Sequence, residues 1–113
     1  MKRVFVCSPY RGNVKRNHAI AMRLCLYVLR CGDVPYAPHV HYHGMLDDRN
    51  PEERALAIAG GLAFLCVCDE VLAYQGRRRR PTFGMQRELM EAWLLHKPIV
   101  WLKKIPGQRK KGE

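Results

Sequence analysis

Short apolar segments alternate with longer helix-like segments along the chain, and this alternation restricts the fold more than any other feature. The predicted strands are Arg3–Ser8, Val34–Ala37, Glu70–Tyr74 and Pro98–Leu102, and the predicted helices are Val14–Cys31, Asn50 to about Cys66, and Thr82 to about His96. Strands that alternate with helices pair in parallel, so we expect a three-layer α/β/α sandwich with a short, mostly parallel sheet of Rossmann-like or flavodoxin-like type. Pro35 indicates that the second strand is an edge strand or irregular.

The connecting segments indicate where a ligand would bind. In open parallel sheets, ligands lie beyond the carboxyl ends of the strands. Three segments of this chain reach that edge, and they are Ser8–Asn13, His39–Asn50 and Gln75–Gly84. The helix before the third strand contains Gly60 and Gly61. Glycine inside a helix costs about 1 kcal/mol relative to Ala, so we expect another backbone or a ligand to approach closely there.

The helix that begins at Thr82 carries an unusual acid. Thr82 is the expected N-cap. Met85 lies three residues before Glu88 and Ala92 four residues after it, so the three side chains share one face, which we expect to pack inward. A carboxylate on such a face is normally solvated, paired or functional. The alternative interpretation is an acid that only complements the helix dipole.

Composition limits the number of domains and the compartment. With 113 residues, 48% of them hydrophobic, the chain suits one globular domain, predicted over residues 1–104, followed by a disordered basic tail over residues 105–113. We find no apolar run of about 18 residues and no signal-peptide pattern, so neither membrane insertion nor export is expected. Five cysteines, an odd number in segments predicted as core, indicate reduced thiols in the cytoplasm.

The net charge of +10 is extreme for a chain of this length. Arg77–Arg80 and the Lys103–Lys111 tail form basic clusters, which attract phosphates, nucleotides or nucleic acid without sequence preference. Solubility alone is an equally good explanation for the tail. The chain contains no recognised nucleic-acid-binding motif, so we predict at most non-specific contact with nucleic acid.

Three alternating histidines raise the question of a metal. His39, His41 and His43 would share a face if they lay on a strand, and imidazoles so placed can bind a metal. Histidines in a surface loop are the commoner case, and we predict no metal site.

Several motifs together resemble the nucleoside 2-deoxyribosyltransferase family. Thr-x-Gly-x-x-x-Glu-Leu, from Thr82 to Leu89, resembles the segment that carries the family's nucleophile, and Val4–Gly12 resembles its first strand and loop. Further motifs are closer to small phage and bacterial deoxyribosyltransferase-like domains of unknown function (the DUF4406 or DUF7768 type). They are Ala37–His39, Leu46–Asp48, Pro51–Arg54, Cys68–Glu70 and Gly84–Met85. The resemblance covers about residues 3–102.

The resemblance implies an N-glycosidase or deoxyribosyltransferase that acts on a nucleoside or nucleotide without a cofactor, with Glu88 attacking the anomeric carbon. The active sites of the family's members lie near subunit interfaces, so the resemblance also implies a homodimer. The implied catalytic residues are Glu88, Asp48 and Tyr10. The implied ligand-binding residues are Ser8, Tyr10, Arg11, Gly12, His39, Asp47, Thr82, Gly84 and Met85.

Each of these assignments has a plainer alternative. Tyr10 also fits packing at the core edge, Arg11 fits a solvated surface position, and Asp47 and Asp48 fit loop caps. The relatives also carry an Asp in the helix before the third strand, and Gly61 occupies that position here. Asp47 or Asp48 would have to replace it. A protein that binds a nucleotide-derived ligand without turnover is therefore the second hypothesis, and a basic nucleic-acid-associated protein is the third.

Overall fold

The computed structural model describes residues 1–106, so most of the predicted basic tail, residues 107–113, lies outside the described part. Four parallel strands form one sheet in the order β2-β1-β3-β4. The strands are β1 (Arg3–Cys7), β2 (Val34–Tyr36), β3 (Glu70–Tyr74) and β4 (Ile99–Leu102). The prediction of an α/β fold with a parallel sheet is confirmed. The strand that contains Pro35 lies at an edge, as predicted, where a missing backbone N–H is tolerated.

Four helices connect the strands, and they are α1 (Val14–Arg30), α2 (Pro38–His41), α3 (Pro51–Val67) and α4 (Phe83–Leu94). Helix α2 is a correction, because we predicted only a connecting segment without a helix between the second strand and Asn50. Pro38 begins this single turn, where a missing N–H does no harm. The N–H groups of His41 and Tyr42 then donate to the carbonyls of Ala37 and Pro38. Helix α4 also ends two residues early, because His96 adopts a left-handed φ of 57°.

Side-chain caps fix where the long helices begin. Thr82 Oγ1 accepts a hydrogen bond from the N–H of Met85 at 3.2 Å, so the predicted N-cap of α4 is confirmed. Asn50 Oδ1 accepts from the N–H groups of Glu52 and Glu53 and begins α3 in the same way. These caps place the first turns of α3 and α4 at the carboxyl edge of the sheet.

Helices cover both faces of the sheet, as the predicted three layers require. On one face, Phe5 and Cys7 of β1 pack with Leu65 of α3 and Met85 of α4. On the other face, Val4 and Val6 pack with Leu24 and Val28 of α1. The alternation along β1 separates the two cores.

The C-terminal end of the described chain still belongs to the packed domain. Ile105 is 8% exposed and joins the core on the α1 side, although the predicted tail began at residue 105. None of the helices within residues 1–106 combines the length and the apolar character that a membrane span needs. The five cysteines are all free thiols.

Candidate functional site

A cavity of about 840 Å³ opens at the carboxyl edge of the sheet. Its walls come from the loops after β1 and β3, from α2 and the segment that follows it, from the first three turns of α3, and from the start of α4. Nine of the residues singled out from the sequence line it, and they are Tyr10, Arg11, Gly12, His39, Asp48, Thr82, Gly84, Met85 and Glu88. The volume suits a ligand of nucleotide size.

Two of the singled-out residues do not line this cavity, and the expectation of direct ligand contact is corrected for both. The side chain of Ser8 is 1% exposed and points into the core. Its carbonyl instead accepts a hydrogen bond from His39 Nε2 at 2.8 Å. Asp47 pairs with Arg49 at 3.2 Å and accepts from the N–H of the same residue, so it caps its own loop.

Glu88 has the most perturbed environment in the cavity. It lies on the face of α4 that also carries the buried Met85 and Ala92, as predicted. Its Oε1 is inaccessible to water and has no hydrogen-bond partner within residues 1–106. Burial disfavours the charged form, and it raises the pKa of the Glu88 carboxyl from 4.5 to about 8. A buried carboxyl group with a raised pKa in the wall of a cavity is a candidate reactive group.

Cys7, at the end of β1, lies beside the Glu88 carboxyl. Its thiol donates a weak hydrogen bond to the carbonyl of Met85 at 3.9 Å. Burial raises the pKa of the Cys7 thiol well above its usual value, and the nearby Glu88 carboxylate adds to that rise. The thiol is therefore a neutral neighbour that opposes only a small part of the effect of burial on Glu88.

The first turn of α4 leaves room above the site. A Cβ added to Gly84 would meet no atom within 4 Å, so packing does not require glycine at this position. Phe83 beside it is 82% exposed and lines the rim. The open space and the free N–H groups of a helix start are what a bound polar ligand would use.

Aromatic rings form the opposite wall. Tyr10 stacks on His39, with ring centroids 4.7 Å apart. The Tyr10 hydroxyl bonds to His43 Nδ1 at 2.9 Å, and His43 stacks on His18 of α1 at 3.7 Å. Burial lowers the pKa of His39 to about 4, so its ring is neutral at pH 7 and donates its Nε2–H to Ser8. The His39 ring under Tyr10 is thus a neutral part of this wall.

Four arginines line the cavity, and they are Arg11, Arg54, Arg78 and Arg87. Arg11 forms an ion pair with Asp48 at 3.2 Å. Arg78 belongs to the basic loop, and its Nη2 would lie 3.7 Å from a Cβ at Gly12. Sequence reasoning missed Arg54 and Arg87 as lining residues, although their places in the first turns of α3 and α4 were a usable signal.

The geometry does not gather the histidines around a common point. His39 and His41 lie on helix α2, where residues two apart point in different directions. Throughout residues 1–106, no three His, Cys, Asp or Glu side chains are grouped as metal ligands would be. The alternative of a histidine metal site assumed that these residues lie on a strand, and that assumption is wrong because His39 and His41 lie on a helix.

The glycine pair of α3 faces α2. Gly61 is buried, and a Cβ there would lie 3.2 Å from Pro38 Cγ. At Gly60, a Cβ would overlap the hydroxyl of Tyr42. We expected a backbone or a ligand at this place, and the neighbours are instead the side chains of Pro38 and Tyr42. A side chain at residue 61 would press on the Pro38 ring, so this packing disfavours an acid there.

Comparisons with known proteins agree with the fold. The fold is similar to that of a 2-deoxyribosyltransferase from the psychrotolerant bacterium Bacillus psychrosaccharolyticus, with a TM-score of 0.69. The sequences are 16% identical over 96% of this chain and 77% of that chain, so the similarity concerns the fold. No curated protein matches the sequence. The profile of DUF7768, a domain of unknown function, matches residues 2–102, and the chain therefore belongs to the DUF7768 family.

Proposed function

We propose that the protein cleaves the N-glycosidic bond of a nucleoside or nucleotide, with Glu88 as the nucleophile on the anomeric carbon. The sugar then passes to water or to a second base. The observation that carries the proposal is the unpartnered Oε1 of Glu88 in a cavity of nucleotide size. Its deoxyribosyltransferase-like fold is the second support.

The chemistry needs Glu88 in its ionised form. The carboxylate attacks as positive charge develops on the sugar, in the manner of a retaining glycosidase. Because burial raises the pKa of Glu88 to about 8, only a small fraction is ionised at pH 7. The rate of base release should therefore rise with pH up to about 8. The proposal involves no cofactor.

The arginines favour a phosphorylated ligand over a free nucleoside. Arg11 precedes Gly12 in the chain and the Arg78 guanidinium lies close to Gly12, just before the N-terminal end of α1. Guanidinium groups and a helix start together suit a phosphate. The Tyr10 ring, stacked on His39, offers an aromatic surface for a base or sugar. Arg11 and Arg78 would thus bind the phosphate, and Tyr10 would contact the base or the sugar.

Binding without turnover is the second candidate, and one observation favours it. Gly61 packs against Pro38, so the cavity lacks the second acid that the resemblance led us to expect there. Asp48 lines the cavity but is paired with Arg11. If this candidate is right, the protein retains a nucleotide-derived ligand and releases no base.

The expected homodimer and cytoplasmic location belong to the same proposal. Exposed apolar side chains on the outer faces of α3 and α4 support association with a second copy, and they are Leu56, Phe64, Val67, Met90, Trp93 and Leu94. Light scattering on the purified protein should give twice the mass of 13.1 kDa. The free thiols support a reducing compartment.

The test is chromatographic detection of free base from a panel of ribo- and deoxyribonucleotides at pH 8. Wild type should release base, whereas Glu88→Gln and Glu88→Ala should lose at least about a thousandfold in rate, because a covalent nucleophile is gone. Glu91→Gln is the matched control, since this acid lies on the same helix but does not line the cavity. No base release by wild type from any nucleotide would favour the binding candidate.

A further inference from the structure

Tyr42, which we did not single out from the sequence, lies in the cavity wall at a place where the neighbouring helix leaves space for its hydroxyl. It follows α2 directly and lines the cavity wall. Its hydroxyl rests over Gly60 of α3, where any side chain would overlap it. Glycine therefore provides the space that this hydroxyl fills.

A second tyrosine orients that hydroxyl. Tyr36, at the end of β2, donates its O–H to the Tyr42 oxygen at 3.3 Å. The Tyr36 ring is fixed by stacking on Phe64, with centroids 4.1 Å apart and planes at 8°. Because Tyr42 accepts from Tyr36, its own O–H hydrogen remains available to a ligand. The pair is thus a hydrogen-bond chain from Tyr36 to Tyr42, a residue that lines the cavity.

The tyrosine pair and Glu88 border the same space. Burial raises the pKa of Tyr36, with smaller contributions from Tyr42, Cys68 and Glu88, so Tyr36 feels the charge of the Glu88 carboxylate. Glu88 and Tyr42 both line the cavity. A sugar held against Glu88 would therefore carry its base within the cavity that Tyr42 faces.

Two carboxylates of the cavity and its buried histidine are already engaged. Asp48 is paired with Arg11, and a paired carboxylate has no proton to donate. Glu53 Oε1 accepts from the N–H of Asp47 at 3.3 Å. His39 donates its Nε2–H to the Ser8 carbonyl. Tyr42 thus combines a position in the cavity wall with a proton that its neighbours leave free.

We propose that Tyr42 is the proton donor to the departing base, which makes it a catalytic residue of the reaction proposed above and rests on that function. Glu88 Oε forms a bond to the anomeric carbon while the bond to the base nitrogen breaks. The nitrogen keeps both electrons and takes the Tyr42 proton. The resulting tyrosinate accepts the Tyr36 O–H. Water then displaces Glu88 from the anomeric carbon and returns a proton to Tyr42, so the net reaction is hydrolysis.

Leaving-group dependence distinguishes this role from a structural one. A natural base leaves as a neutral molecule only if it is protonated, whereas a nitrophenolate leaves without a proton. Tyr42→Phe should slow release of the natural base by about 10²–10⁴-fold, the usual contribution of a general acid. The same variant should cleave the matching nitrophenyl deoxyriboside phosphate within about threefold of the wild-type rate.

Two further variants complete the test. Gly60→Ala displaces the Tyr42 hydroxyl without removing it. This variant should also slow release of the natural base, but less than Tyr42→Phe, and should leave cleavage of the nitrophenyl substrate unchanged. Tyr74→Phe is the control, because Tyr74 packs on the opposite side of the sheet and does not line the cavity. It should match wild type on both substrates.

The outcomes separate this inference from the proposed function. If wild type releases base and Tyr42→Phe is as fast, or is slowed equally on both substrates, the proton-donor role is wrong and the proposed function stands. If wild type cleaves neither substrate, the proposed function fails and this role fails with it. A selective loss on the natural base, with folded protein by circular dichroism, supports the proposal.

Discussion

Glu88 shows how one local environment sets the properties of a residue. The carboxyl group lies beside the Cys7 thiol, on the helix face of Met85 and Ala92, and within residues 1–106 its Oε1 is buried without a hydrogen-bond partner. Burial without a partner favours the protonated form. A rise in pKa from 4.5 to about 8, at about 1.4 kcal/mol per pH unit, means that ionising Glu88 works against the fold by several kcal/mol.

This gives a prediction for stability. The pKa of Glu88 is higher in the folded state than in the unfolded state. Below about pH 4.5 the carboxyl is protonated in both states and does not destabilise the fold. As pH rises from about 4.5 through 8, the free energy of unfolding falls. Glu88→Gln cannot ionise. It should therefore unfold at a temperature close to that of wild type at pH 5 and several degrees higher at pH 8.5, as measured by calorimetry. Glu91→Gln should show no such trend. If the unfolding temperature of Glu88→Gln does not rise relative to wild type as pH increases, Glu88 is not buried as described.

The sequence predicted local features of single residues better than distant contacts. The Thr82 cap and the shared face of Met85, Glu88 and Ala92 follow from spacing along one helix. The contact between Tyr42 and Gly60 joins α2 to α3 and depends on how they pack, which no local pattern records. Ser8 was misjudged because the alternation along β1 turns its side chain into the core while its carbonyl faces the site.

At the level of elements, the short helix α2 shapes the cavity. Its first residue, Pro38, packs on Gly61, and Tyr42 just after it packs on Gly60. Both contacts require that α3 carries no side chain at residues 60 and 61. The two glycines, which weaken a helix by about 1 kcal/mol each, are thereby explained by the close approach of α2.

A pair of glycine substitutions tests this packing. Gly84→Ala, where a Cβ meets nothing within 4 Å, should stabilise the protein by about 0.5–1 kcal/mol, because Ala is the better helix former. Gly61→Ala gains the same propensity but brings Cβ to 3.2 Å from the rigid Pro38 ring, so it should be at least about 1 kcal/mol less stable than Gly84→Ala. Urea unfolding measures both. Equal stabilisation would show that α2 does not press on α3.

Element prediction succeeded where periodicity is long and failed where it is short. The three long helices and four strands have enough residues to show a pattern, and the cap residues define their starts. Helix α2 has only 4 residues, too few for a helical period to be visible. Pro35 indicated the edge position of β2, but the order of the other strands depends on tertiary packing, for which the sequence offered no signal.

At the level of the whole molecule, charge is the dominant property. The net charge is +10, and Arg77–Arg80 form an exposed loop at the mouth of the cavity. Only Arg78 of this run lines the cavity wall. The positive field concentrates phosphate-bearing ligands near the site and attracts other polyanions as well.

We predict that nucleic-acid binding is weak, salt-dependent and indifferent to sequence. Affinity for labelled oligonucleotides should fall steeply between 50 and 200 mM salt, by about tenfold or more for each few phosphates contacted. Replacing Arg77, Arg79 and Arg80 by Ser should lower the salt dependence while leaving the cavity intact. A sequence preference that persists at high salt would contradict this interpretation.

The central claim is that Glu88 forms a covalent bond to the sugar, and the mass of the intact protein during turnover tests it most directly. A substrate with fluorine at the sugar 2-position slows the breakdown of the intermediate. After mixing this substrate with wild type at pH 8 and quenching in acid, the protein should gain the mass of one sugar unit, and fragmentation should locate it on Glu88. Glu88→Gln should gain no mass. Base release by wild type without any adduct, at a rate unchanged in Glu88→Gln, would contradict the account.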